Sequence, residues 1–208
     1  EMMMCHYPMN HNRIIQRESP SGITMAHPPF PCFAWRSGGS VDGKKLLQVF
    51  LEQRPNAQWV LVGEGCAQSE LQLWTAWNCA SRRWIRSTAL ARSMDAEFLR
   101  YLCGTHHVSE AFKRAGVREG DSAGFLMFLP DATADEQQSD CHVSEYDSQA
   151  IEGQAKLLLS QLSLEDAPID YALNKTGASR LGMKFEHEDE ELTESALIGH
   201  ILSSEFTS

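Results

Sequence analysis

Apolar and polar positions along the chain repeat with two different periods, and each change of period marks an element. CFAW (32–35), following Pro28, Pro29 and Pro31, predicts a short strand. In SVDGKKLLQVFLEQRP, Leu46, Leu47, Phe50 and Leu51 recur at helical spacing, with Ser40 as the expected N-cap and Pro55 closing the helix. AQWVLVGEG (57–65) and AGFLMFL (123–129) are apolar runs bounded by turn residues, the mark of buried strands. SELQLWTAWNCASRRWI puts Leu71, Trp74, Ala76, Trp77, Ala80 and Trp84 near one side of a helix. These tryptophans therefore read as core rather than as a base-stacking platform.

The next stretch, EFLRYLCGTHHVSEAFKRAG, breaks one helical pattern and starts another. Ser93 is expected to cap the first of these helices, with Phe98, Leu99 and Leu102 inward. Asp95 falls in its first turn, where the helix dipole favours a negative charge. Gly104 stands just past its end, where a left-handed backbone suits glycine. Thr105 would cap the following helix at once, and Gly116 would end it as Gly104 ends its predecessor. So short a break forces a sharp turn, and the corner is expected to expose unpaired N–H groups that attract anions. His106 and His107 belong to that first turn.

Beyond Pro130 the pattern weakens. Residues 131 to 148 read as a polar, acidic loop, and 151 to 164 as a helix with Ile151, Leu157, Leu158 and Leu162 inward. DAPIDYALNKTG predicts a short helix with Asp166 as N-cap, Pro168 in the first turn and Gly177 at its end. The chain divides into a mobile arm (1–20, with the isolated His6 and His11), a domain (21–183) and an acidic tail (184–208). That tail either frays or closes with an amphipathic turn through Leu192, Leu197, Ile198 and Ile201. Few strands separated by helices predict an α/β (α+β) domain: a small mixed sheet covered by several helices.

Charge changes this picture locally. The net charge of −10 argues against a protein that coats nucleic acid over its whole surface. Yet Arg82, Arg83, Arg86, Arg92, Arg100, Lys113, Arg114 and Arg118 face only Asp95, Glu97 and Glu110 in their stretch. A basic island in an acidic chain suits a local phosphate contact. The six cysteines show no framework spacing, which suits reduced thiols and a cytoplasmic address. No run of eighteen apolar residues argues for a membrane span.

Three chemistries compete for the corner. Cys103, His106 and His107, with Cys141 and His142 completing a set, could hold zinc, but adjacent histidines on a helix project about 100° apart. Cys103 paired with a histidine could serve a small hydrolase or transferase, but it ends a helix, beside carbonyls that disfavour a thiolate. A small buried cysteine packed under the corner accounts for it better. GEG (63–65) and SGG (37–39) are too short to cradle a nucleotide, and no catalytic motif or cofactor loop is present. An anion site, with imidazoles able to stack on an unpaired base, is the strongest reading.

The order of residues Ala76-x3-Ala80, then ARS (91–93), then Glu97-x-Leu99-x-Tyr101-x2-Gly104, Ala111 and Gly116 resembles the kinase-binding subunits of the KEOPS (EKC) complex. This is the family of the eukaryotic PRPK-binding protein. The resemblance spans roughly 68 to 129, with an echo at IDYALNKTGASRLG (169–182). It implies a non-catalytic, cofactor-free adaptor that binds a PRPK-like kinase subunit and the single-stranded 3′ CCA end of tRNA. That adaptor would support threonylcarbamoyl modification of the adenosine next to the anticodon. Arg100 and Gly104 match the family pattern directly and Arg92 matches its ARS element, whereas His106 and His107 stand where Arg and Gln are usual. The implied tRNA contacts are Arg86, Arg92, Arg100, Gly104, Thr105, His106 and His107; Ile169, Leu173 and Leu181 are candidates for the kinase surface.

Overall fold

A computed structural model describes residues 30–134, 141–187 and 189–206. The expected arm at 1–20, with His6 and His11, lies outside the described residues. In chain order the elements are β1 (Cys32–Arg36), α1 (Gly43–Gln53), β2 (Trp59–Gly63), α2 (Glu70–Ile85), α3 (Met94–Leu102), α4 (Val108–Ala115) and β3 (Ala123–Phe128). After them come β4 (Ala132–Ala134), β5 (Cys141–Val143), α5 (Ser148–Gln161), β6 (Glu165–Ala167), α6 (Lys175–Leu181) and α7 (Glu194–Ser203).

Four strands form one sheet in the order β2-β3-β1-β6, and β4 pairs with β5 as a separate ribbon. The class is the α/β one expected, and every pairing in it is antiparallel. Period-two alternation sends side chains to opposite faces, and both faces are covered. Val60 lies opposite Met127 and Val62 opposite Phe125; these four pack with α2, α3, α4, α6 and α7. Trp59 opposite Phe128 and Leu61 opposite Leu126 pack instead with α1 and α5. A sheet buried on both sides explains why its strands read as unbroken apolar runs.

Several helix boundaries and faces differ from the sequence expectations. Asp42, not Ser40, caps α1, its carboxylate accepting from the amides of Lys44 and Lys45. The inward face of α2 is rotated: Leu73, Ala76, Trp77, Cys79, Ala80 and Ser81 are buried, Leu71 and Trp74 are half-buried, and Trp84 is 43% exposed. Leu157 of α5 is exposed, while Leu158 and Leu159 are buried. Gly116 ends α4 in an extended conformation, not a left-handed one. The expected loop at 131–148 contains the β4–β5 pair.

The largest correction concerns 165–177. Residues 165–167 form edge strand β6 on β1, with Asp166 opposite Trp35, so Asp166 caps no helix. The helix starts later, at Lys175, where Asn174 accepts from the Gly177 amide. Gly177 sits inside it, and Gly182, at φ 111°, ends it in the left-handed conformation. In the segment from 184 onward, expected as an acidic tail that frays or closes with an amphipathic turn, the second alternative holds: α7 joins the packed body, with Leu197 and Ile201 buried.

Candidate functional site

α3 and α4 meet at the corner that the glycine marked. Gly104 takes φ +53°, and the amides of Gly104 and Thr105 are spent on the carbonyls of Tyr101 and Arg100. These bonds satisfy the end of α3 rather than facing outward. His107, not Thr105, is the N-cap of α4. Thr105 is buried; its hydroxyl accepts from the His107 amide and donates to Glu110 Oε2 at 3.1 Å. Glu110 also pairs with Arg114. The carboxylate at this corner is thus the chain's own, held by the Thr105 hydroxyl and by Arg114.

Arg100 has no exposure at all. Its Nε and Nη2 donate to the two carboxylate oxygens of Glu97 at 3.2 and 3.0 Å, and Nη1 donates to the Thr105 carbonyl at 2.7 Å. Glu97, equally buried, accepts from the amides of Leu90 and Ala91 through Oε2. This dyad ties the loop before α3 to the corner after it. The Glu-x2-Arg spacing, one turn apart on α3, puts both heads on one face. Arg100 and Thr105 are thus architectural, and the expected RNA contacts through them are withdrawn; Gly104 is half-buried, with its amide bonded inside the corner. Burial accounts for it: a charge enclosed this way must pair inside, and it cannot also reach a ligand.

What the dyad positions is a basic surface. Past α2 the chain leaves through Ser87 at φ 54°, with the Ser87 and Thr88 amides donating to the carbonyls of Trp84 and Arg83. The loop is then held at Leu90 and Ala91 by Glu97, next to Arg92. Arg82, Arg86 and Arg92 are exposed, and so are Trp84 (43%) and Leu90 (53%). Arg82 and Arg86 lie four residues apart, one strip of helix surface. Arg83 is committed differently: its Nη2 and the Tyr101 hydroxyl grip Glu205, at 2.7 and 2.6 Å, fixing the end of α7. Of the predicted contacts, Arg86 at the end of α2 and Arg92 on the loop after it are exposed, while His106 (half-buried) and His107 (exposed) lie at the α3–α4 corner. Arg82 and the exposed Trp84 were missed; the ARS element pointed to the loop but not to the end of α2.

Cys103 is fully buried and donates toward the Ala111 carbonyl at 3.6 Å. Burial pushes its thiol well above the ordinary range. A thiol so held is not a nucleophile at neutral pH. Cys141 sits on β5, and no group of three metal-ligating side chains gathers among the described residues.

Two of the candidates for a kinase surface are exposed. Ile169 (49%) and Leu173 (46%) stand on the extended stretch after β6, and Leu173 lines a cleft of about 400 Å³ with Gln68, Ser69, Glu70, Leu71, Tyr171 and Glu194. Leu181 is wholly buried in the core beside Tyr101 and Ile201, so it is removed from that surface. Among the described residues no helix is long and apolar enough to cross a membrane.

A family model described as kinase binding protein CGI-121 matches residues 41–201, from just before α1 into α7. No curated protein matches the chain.

Proposed function

The chain belongs to the kinase binding protein CGI-121 family, and on that premise we propose that it is a non-catalytic adaptor of a KEOPS-type complex. It binds a PRPK-like kinase subunit and holds the single-stranded 3′ CCA end of tRNA in the cytoplasm. In doing so it supports threonylcarbamoyl modification of the adenosine beside the anticodon. The family match over residues 41–201 is the observation that carries this reading.

The surface at the end of α2 supports the RNA half of it. Phosphates are met by exposed guanidinium groups, and unpaired bases by exposed aromatic faces. Arg82 and Arg86 at the end of α2 and Arg92 on the loop supply the first, and Trp84, on another side of the same turn, supplies the second. His106 and His107 extend the contact at the neighbouring corner. The half-exposed Ile169 and Leu173 supply the apolar contact offered to the kinase subunit. Exposed apolar side chains, Leu173 of them at a cleft, suit a protein partner.

Two measurements test the two halves. tRNA with and without its CCA end is titrated at several salt concentrations; the intact form should bind more tightly. Reversing Arg86 and Arg92 to Glu should weaken binding and lower the salt slope by about one per arginine. Equal affinity for both tRNA forms defeats the CCA-holding role. Co-purification with the small kinase subunit should be lost in the Ile169→Asp, Leu173→Asp double variant; failure of the unaltered chain to associate at about micromolar concentration defeats the adaptor role.

A further inference from the structure

We infer that the groove between the first turns of α1 and the end of α4 docks an acidic amphipathic helix of a partner protein. Neither the RNA contacts above nor the apolar pair Ile169 and Leu173 draws on this surface. Leu47, Phe112 and Val117 line a cleft of about 690 Å³, and Lys44, Lys113 and Arg118 stand at it. Its walls are fixed. A β-carbon on Gly43 would come 2.6 Å from the Arg118 carbonyl carbon and 2.8 Å from the Val117 oxygen, so α1 starts directly on the chain leaving α4. A groove held in this way loses little freedom on binding.

The cations here are not spent inside the chain. Lys113 and Arg118 belong to the basic stretch of the sequence that the surface at the end of α2 leaves unexplained. Lys44 and Lys113 are exposed and form no ion pair among the described residues. The Arg118 guanidinium donates only to the Lys113 and Arg114 carbonyls, at 3.1 Å each. Burial and the neighbouring Arg180 lower its pKa, the mark of a charge with too little compensation. Lys44 and Lys45 also occupy the first turn of α1, which holds no acid. The helix dipole disfavours positive charge there. The carboxylates at the groove are Asp42, held by the amides of Lys44 and Lys45, and Glu119. Cations that weaken their own helix and make no internal contact point to an external anion.

The apolar lining decides between a nucleic acid and a protein. A phosphate backbone would meet the cations but leave Leu47 and Leu51 in water, and one half-buried ring at Phe112 is no stacking platform. Leu51, 47% exposed, lies one turn beyond Leu47 on the same side of α1 and extends the apolar strip. Apolar side chains recurring every three to four residues on a partner helix fill such a strip. Carboxylates flanking them reach Lys44, Lys113 and Arg118. The apolar area then supplies affinity, and the charges set orientation and on-rate.

The test titrates the full chain with a fluorescently labelled model helix of leucine and glutamate in amphipathic order. A Kd of about 10 to 100 μM is expected, with backbone amide resonances shifting around Lys44 to Leu51 and Phe112 to Glu119. The Lys44→Glu, Lys113→Glu double variant removes no internal bond and should weaken binding about tenfold. Leu51→Ser should weaken it about threefold with an unchanged unfolding midpoint. A model helix with lysine in place of glutamate should bind about tenfold more weakly than the acidic one. Polyglutamate binding as tightly as the helix would reduce the groove to counter-ion exchange and overturn the inference. Resonance shifts confined to other residues, or no binding to the unaltered chain, overturn it as well. Single-stranded RNA that displaces the helix from these residues reassigns the groove to nucleic acid, and the inference falls.

Discussion

His200 of α7 lies directly on Gly104: a β-carbon added to that glycine would come 2.7 Å from the imidazole Cε1 and 2.8 Å from Nε2. The α3–α4 corner and the last helix are therefore one packed unit, joined where the backbone has no side chain. The same glycine carries φ +53°, which disfavours any residue with a β-carbon.

Gly104→Ala is accordingly expected to destabilise the fold by about 2–4 kcal/mol, from left-handed strain plus overpacking against His200. Urea unfolding measures the loss. Hydrogen exchange should show α7 opening first. A change below about 0.5 kcal/mol would mean that α7 is not seated on the corner.

Replacing Arg100 by Met leaves the buried Glu97 carboxylate without its partner, and should cost about 3–5 kcal/mol. The Glu97→Met, Arg100→Met double variant should recover part of this. Full recovery is not expected, because the amides of Leu90 and Ala91 and the Thr105 carbonyl lose their bonds as well. Thermal unfolding of the two single variants and the double variant gives the coupling. Independent, additive losses would show that the dyad is not a unit.

Stability should fall as the solution is acidified through the imidazole range. Burial lowers the pKa of His200 below its ordinary 6.5; Arg114 lowers it further, while bonds to the Leu181 and Cys103 carbonyls act the other way. Protons then bind the unfolded chain more readily, so the contribution is full above about 6.5 and is lost as pH drops through the folded value. Glu205 titrates lower: burial raises it, but the Arg83 and Tyr101 hydrogen bonds prevail and hold it beneath its ordinary 4.5. A melting series from about pH 7.5 to about pH 5 isolates the histidine, and His200→Gln should flatten it. An unchanged slope in that variant would assign the effect to other groups.

The buried strands show what local pattern can reveal. β1, β2 and β3 are legible because a strand buried on both faces must be apolar at nearly every position. The Gly104 corner is legible because a left-handed residue at a helix end is most often glycine. The stretch from 165 to 177 misleads for the opposite reason. Asp166 and Pro168 have the chemistry of a helix start, but pairing with β1 claims 165–167 first, and that partner lies more than a hundred residues away.

Arg100 marks the boundary most sharply. Its place on α3, its spacing from Glu97 and its position before a glycine corner follow from sequence. Whether its charge faces a phosphate or a carboxylate depends on what folds over it. Local periodicity is set by backbone geometry within a few residues, so the elements from β1 to β3 and much of the core could be written from the chain alone. The solvation of a charge is set by neighbours brought in from afar. Only the packed structure could show Glu97 and Thr105 consuming Arg100, and Glu110 taken up by the Thr105 hydroxyl.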